Sequence, residues 1–420
     1  MAGDDQARDV PVPAAKQEEA RGVKRNWVVG TVAVVVPIAL VIGVAATSFG
    51  SPAQSTPPLA QATASPTATT SPSPTPTSLP TPTPLPTPVP TPTPVPTPKP
   101  VPAPLTGRLV PPEIAAQHPI AVMIDDLRAA RPQSGLASAS VVWQAPAEGG
   151  IPRYMAIFQD DMPENVGPVR SSRYYYIAWA AEWRAVYAHA GGSPQALATL
   201  QAKGSGQLVY NLDEFRHSGT FFRIKSRRPP HNLYSTGPKL RATGKKLGAK
   251  DQASVPVWKF APDAPLEARP YGGTITVVYP YNTIKYAYDR TTNTYLRSVT
   301  GEKQQMDAVG GTRIAPKNVV VMRMRFGPLN DGHPGAPRLE ADVVGSGVAW
   351  ISTNGRTIKG TWKKTALTKP TKFYDASGKE LTLTVGQTFI QVVPGNYQVS
   401  FKAGASQPPA TPTPSATPSG

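Results

Sequence analysis

Several clusters of charged residues in the middle of this 420-residue chain are of types that do chemistry. Asp125 and Asp126 follow the apolar run IAVMI, Glu148 follows VVWQAP, and His189 follows AVYA. Arg170 and Arg173 stand in GPVRSSR. The stretch FFRIKSRRPPHNLY packs Arg223, Lys225, Arg227, Arg228 and His231 together, with Asn232 next. As an enzyme, such a set would be a hydrolase. Asp125 or Glu148 would activate water, His189 or His231 would move a proton, and the arginines would hold phosphate or carboxylate. Each group also has a structural reading. Asp125-Asp126 fits a strand-end Asx turn, and His189 in AHAGG fits a hydrogen-bonded structural histidine. Arg170 and Arg173 fit surface pairing with acids such as Glu182. His231, set between two prolines and Asn232 in a rigid loop, fits a functional role better than a packing one.

These groups must be positioned by the elements around them. HPIAVMIDD, SVVWQAP, YMAIFQDD and AVYAHAGG read as short buried strands. SSRYYYIAWAAEWR reads as a helix opened by a serine cap; SPQALATLQAKG and TGPKLRATGKKLG read as two further helices. If the strands run parallel, Asp125, Glu148 and His189 end at one crevice, where open α/β sheets hold ligands. The glycine pair Gly191-Gly192, opening a helix, would add backbone donors for an anion. Tyr176, Trp179 and Trp183 form one helical stripe, which core packing explains better than sugar stacking.

From about Gly272 the pattern changes to strands and turns, with DASGKE and STNGRT as hairpin turns. The expected fold class is therefore α+β: an N-terminal α/β sandwich unit over 106–250 and a mostly antiparallel β unit over 270–403. PDAPLEARPYGG between them reads as a hinge. VVVMRMRF places Met322, Met324 and Phe326 on one face and Arg323 and Arg325 on the other. With Lys359, Lys363, Lys364, Lys369 and Lys372 these arginines would form a basic patch or a solvated sheet face.

Absent patterns narrow the chemistry. There is no cysteine, so disulfides, thiol nucleophiles and zinc ribbons are out. The five histidines (118, 189, 217, 231, 333) show no HExxH spacing, and no metal or cofactor is expected. Walker A, GxSxG, SxxK and GxGxxG are also missing.

The ends of the chain say where it sits. Residues 27–47 run 21 positions without a charge, and as a helix they would span ~32 Å at ~1.5 Å per residue. Lys24 and Arg25 precede the run, which places residues 1–26 in the cytoplasm and the rest outside. The expectation is a single-pass anchor; the alternative is a cleaved signal peptide with Val44 and Ala46 before the cut. Of the 51 prolines, 20 fall in residues 50–105, a Pro/Thr-rich stretch expected to be a disordered, extended stalk. A similar tail is expected over 404–420. The net charge of +17 lies almost wholly beyond the stalk and argues for anionic surroundings. Export makes nucleic acid an unexpected partner and points to the membrane and to an anionic cell-wall polymer.

Motifs in order add a resemblance. RPQSGLASASVVWQAPAEGGIPRYMAIFQ, VGPVRSSRYYYIAWA, YAHAGGSPQAL and SRRPPHNLYST, with TKFYDASGKE and FIQVVP later, resemble the YerB-like bacterial lipoprotein family over residues 105–403. The resemblance implies an extracytoplasmic compartment, a two-part fold and no assigned catalytic residue. It departs at the lipid-attachment cysteine, which this chain lacks. Two functions are expected from this reading: a membrane-anchored envelope protein binding an anionic polymer or partner, or an extracytoplasmic hydrolase of an envelope substrate.

Overall fold

Apolar runs that carry no alternation are the signal of strands covered on both faces. The computed structural model, which describes residues 98–252, 254, 257–329, 331–332 and 337–407, places them in the middle of one sheet. Strands β1 (Ile120–Asp125), β2 (Val141–Pro146) and β3 (Pro152–Phe158) are followed by helix α1 (Tyr174–Ala180) and strand β4 (Val186–His189). Helix α2 (Pro194–Leu200), strand β5 (Tyr210–Asp213) and helix α3 (Gly237–Lys246) close the first half. The second half supplies β6 (Thr274–Val278), β7 (Thr283–Asp289), β8 (Thr294–Val299), β9 (Asn318–Arg323), β10 (Gly345–Thr353), β11 (Arg356–Lys364), β12 (Lys372–Asp375), β13 (Thr388–Val393) and β14 (Val399–Lys402).

Strand order in the large sheet is β12-β11-β10-β9-β13-β2-β3-β1-β4-β5, ten strands drawn from both halves. The remaining strands form an antiparallel four-stranded sheet, β8-β7-β6-β14. The fold is thus mostly strand, with mixed pairing. The three expected helices form, and among the described residues they are the helices of the first half longer than one turn. One expectation changes. In the second half, β9 and β13 pair parallel, and β13 pairs parallel with β2, inside the first half's sheet. The physical reason is burial: β13 (TFIQVV) is covered along its whole length, and only a central position hides both faces.

Alternate residues of β1 serve two cores. Ala121 and Met123 pack with α1 and α2 residues such as Trp179 and Ala196. Ile120, Val122 and Ile124 face Leu240 of α3 and the four-stranded sheet through Ile275, Val277 and Tyr286. Of the aromatic stripe, Tyr176 and Trp179 of α1 are core, as the spacing indicated, and Trp183, half-buried in the turn after it, packs against the same cluster. Trp143 and Trp179 stack 4.7 Å apart at 8°, a geometry worth about 0.5–1.5 kcal/mol beyond burial. Ser193 caps α2 and Thr236 caps α3. The expected serine cap on α1 is absent; Arg173 stands there with no side-chain cap bond.

STNGRT forms a two-residue hairpin, Asn354 and Gly355 both having positive φ between paired Thr353 and Arg356. The body begins before the proline-rich run ends, since Val101–Pro102 pairs with Leu109–Val110 and Leu105 is buried. The expected basic patch also splits. Lys359, Lys363 and Lys369 are exposed, but Lys364 turns inward beside Trp362 and Gly360. Residues 1–26, the anchor over 27–47, the stalk up to 97, His333 and the tail from 408 lie outside the described residues. No helix among the described residues is long and apolar enough to cross a membrane.

Candidate functional site

Strand direction gathers the candidates. β1 and β4 are parallel, and β1 and β2 are each antiparallel to β3. The carboxyl ends of β1, β2 and β4 therefore share one edge. Over that edge runs the segment Val166–Ser172, stitched down by backbone bonds. Asp125 N donates to Pro168 O (2.9 Å), Arg170 N to Met123 O (3.0 Å) and Val169 N to Leu233 O (2.7 Å). This stitching sets Arg170 and the loop carrying His231 beside the end of β1.

Asp125 is the hub. Its Oδ2 accepts from His231 Nδ1 at 2.6 Å and makes an ion pair with Arg170 Nε at 3.1 Å. Its Oδ1 accepts from Leu127 N at 3.0 Å. A carboxylate oxygen has no proton to give, so Nδ1 of His231 is the donor, and in the neutral ring Nε2 carries the lone pair. One strand over, Glu148 grips Arg173 bidentately at 2.6 and 2.5 Å and stands 4.0 Å from Arg153 Nη2. Burial works to raise the pKa of Glu148, but the Arg173 bond and the charges of Arg173 and Arg153 outweigh it and hold it below the usual range. Arg153 lies directly across from Asp125 in the sheet register. Burial and then the neighbouring Arg173 push its pKa down to about 10. Three arginines (153, 170, 173) thus stand against two carboxylates at one half-buried edge. Arg170 keeps both terminal nitrogens without a hydrogen bond among the described residues. A third cation against two anions leaves the cleft electropositive, suited to an anion.

Of the residues singled out in the sequence, Asp125, Glu148, Arg170, Arg173 and His231 converge here. The others hold the scaffold. Asp126, next to Asp125, turns the opposite way into the space between the two sheets, accepting from Arg131 (3.2 Å), Gln144 (2.6 Å) and Asn282 (3.3 Å). Burial raises its pKa against the pull of Arg131 and Arg297. His189 is buried, with Nδ1 2.8 Å from Gly191 O and Nε2 2.8 Å from Asn211 Oδ1. Nδ1 is spent on the Gly191 turn and Nε2 on the neighbouring strand through Asn211. Arg227 donates to the carbonyls of Ala130 and Pro132. Asn232 accepts from Arg223 and donates to Ile224 O, tying its own hairpin.

Sequence reasoning missed Arg153, a lone cation in the buried run PRYMAIF; an arginine kept in such a run was the available signal. It also missed Arg297, fully buried, which donates to Gln144 (2.7 Å) and Tyr286 (3.0 Å) and lies over the Tyr154 and Phe389 rings. Its alternation with Tyr295 and Val299 in TYLRSV gave it away as inward-facing. Among the described residues, no three His, Asp or Glu side chains form a group able to hold a metal ion.

A two-sheet body of largely β structure, with arginines gathered on carboxylates at the strand ends, defines the class: an α+β protein of mixed central sheet with an arginine-rich strand-end edge. Two family models match the chain, described as the N-terminal and C-terminal domains of a protein of unknown function (DUF3048), over residues 105–250 and 275–390. The chain is 31% identical over 309 residues to YerB of Bacillus subtilis (strain 168), which carries a lipoprotein name. That match covers 72% of this chain and 88% of the relative. The crystal structure of YerB superposes with a TM-score of 0.63 at 27% identity, covering 71% of this chain and 99% of that one. This chain belongs to the YerB-like family.

Proposed function

We propose that this is a membrane-anchored, extracytoplasmic protein of the cell envelope that binds an anionic envelope polymer or partner in the cleft of Arg153, Arg170 and Arg173. One observation carries the reading: Arg170 Nε is ion-paired with Asp125 Oδ2 at 3.1 Å, while its terminal nitrogens make no hydrogen bond among the described residues. A guanidinium held in place but not satisfied is a preorganised receptor for carboxylate or phosphate. The lipoprotein name of the relative supports the compartment, and the uncharged run at 27–47 with its preceding basic pair supports the anchor.

The test is salt-dependent binding of the full chain, in detergent, to poly(glycerol phosphate) and to poly-γ-glutamate, read by fluorescence anisotropy. Losing a charged hydrogen bond of about 1.5–3 kcal/mol makes Arg170→Ala bind roughly 10- to 100-fold more weakly. Substituting the exposed Lys359 and Lys363 should change affinity far less. If the lysine variants weaken binding as much as Arg170→Ala, attraction is a general surface effect and the cleft reading fails.

A further inference from the structure

His231 is the one histidine at this edge not consumed by packing. Its side chain is 17% exposed while its partner Asp125 is 2% exposed. Nδ1 donates to Asp125 Oδ2, and Nε2 makes no hydrogen bond among the described residues. The ring lies on the wall of an open hollow of about 540 Å³ shared with Leu127, Arg128, Ala129 and Tyr281. Asp125 in turn has little freedom. Its Oδ1 accepts from Leu127 N, its carbonyl accepts from Gln133 Nε2 at 3.0 Å, and its amide is tied to Pro168. A rigidly held carboxylate therefore orients a single imidazole with its lone pair toward an open hollow. This is the arrangement a general base needs.

We propose that His231 is the general base of an ester hydrolase, acting on a carboxylic ester borne by the anionic ligand. The inference rests on the binding reading above only for how the substrate is held. His231 Nε2 takes a proton from water as the water oxygen bonds to the ester carbonyl carbon, and the carbonyl electrons move onto oxygen. The terminal nitrogens of Arg170, anchored to the same carboxylate oxygen as His231, meet that negative oxygen. The carbonyl then reforms, the acyl–oxygen bond breaks, and the imidazolium returns its proton to the departing alkoxide. The products are an alcohol and a carboxylic acid, and water is the only co-reactant. A carboxylic ester fits better than a phosphodiester for a geometric reason. One imidazole serves both attack and departure at a tetrahedral carbon, whereas in-line displacement at phosphorus puts them on opposite sides. Among the described residues, His231 is the only imidazole on the wall of this hollow. Asp125 is a positioning residue here, acting through His231.

The test uses the full chain in detergent with 4-nitrophenyl acetate and with 4-nitrophenyl succinate, which adds a carboxylate. The wild type should hydrolyse both above the buffer rate and favour the succinate. His231→Ala and His231→Gln should lower kcat/KM at least about 100-fold while still unfolding in one cooperative transition. Arg170→Ala should lower kcat for both esters, having lost the donors to the negative oxygen, and raise KM for the succinate. Asp125→Asn should lower kcat for 4-nitrophenyl acetate, which carries no anion for Arg170, while its KM holds. A wild-type rate no faster than buffer, or His231 variants as fast as wild type, overturns the proposal while polymer retention leaves the binding reading intact. Ester turnover dependent on His231 without polymer retention does the reverse.

Discussion

Lys364 and Glu182 form an ion pair with both side chains fully buried, Nζ to Oε1 at 2.9 Å. Lys364 ends β11 and faces inward by strand alternation, while Glu182 sits in the turn Ala181–Trp183 after α1. The pair therefore joins the two halves of the sequence. The remaining capacity is met locally: Lys364 also donates to Lys369 O (2.6 Å), and Glu182 accepts from Thr371 N (3.1 Å) and Thr371 Oγ1 (2.7 Å). Burial raises the pKa of Glu182 and lowers that of Lys364, each against the attraction of the other. Glu182→Gln keeps the shape but strands the ammonium, and removing one partner of a buried pair costs about 3–5 kcal/mol. A partly solvated pair costs less, toward the ~1 kcal/mol of exposed pairs, so half-buried Lys372–Glu380, with 29% and 22% side-chain exposure, is an internal control. With a urea slope of about 3 kcal/mol per molar, the midpoint should drop by about 1–1.7 M with the slope unchanged. The double variant Glu182→Leu/Lys364→Met removes both charges and should recover most of the loss. A Glu182→Gln midpoint shift no larger than that of Glu380→Gln would refute the reasoning. So would separate transitions for probes in the two halves, because the pair could then not hold a single cooperative unit.

Two further outcomes can be checked by thermal unfolding. Glu148 has a folded pKa below its unfolded one, so its contribution is present above the ordinary carboxylate range and is lost as pH falls through the lower folded value. The wild type should lose stability on acidification below about pH 5 more steeply than Glu148→Gln, and parallel acid limbs would contradict this. A Cβ at Gly360 would lie 1.9 Å from the carbonyl oxygen of Tyr374. Gly360→Ala must therefore part β11 from β12 and should cost about 1–3 kcal/mol; a neutral result would mean those strands are not so closely paired.

Elements whose cause is local were legible in the sequence. The caps Ser193 and Thr236 and the Asn354-Gly355 turn depend on residues a few positions apart, and each formed. The missing serine cap on α1 has a tertiary cause. Ser172 Oγ is spent on the Tyr187 hydroxyl at 2.8 Å, and Ser171 Oγ accepts from Arg173. Strand partners over long range were harder to read. Yet TIKYAYD alternates between exposed and buried, while NVVVMR and TFIQVV do not. That contrast separates strands of the four-stranded sheet, with one face in solvent, from strands inside the ten-stranded one.

The same rule of alternation divided the candidate site. Adjacent residues at a strand end point to opposite sides, so Asp125 and Asp126 could not serve one reaction, whatever their nearness in sequence. Asp126 answers the charge of Arg131 and Arg297 inside the two-sheet core, where an unpaired guanidinium would be costly. Asp125 and Glu148 do at the edge what Asp126 does inside, fixing arginines by their carboxylates. The difference is solvent. In the core, the charges are shared among partners that close over them. At the edge, Arg170 and His231 each keep polar atoms unspent among the described residues, His231 on the wall of an open hollow. Groups held this firmly yet left unsatisfied are the ones that can meet a ligand without first breaking a bond within the protein.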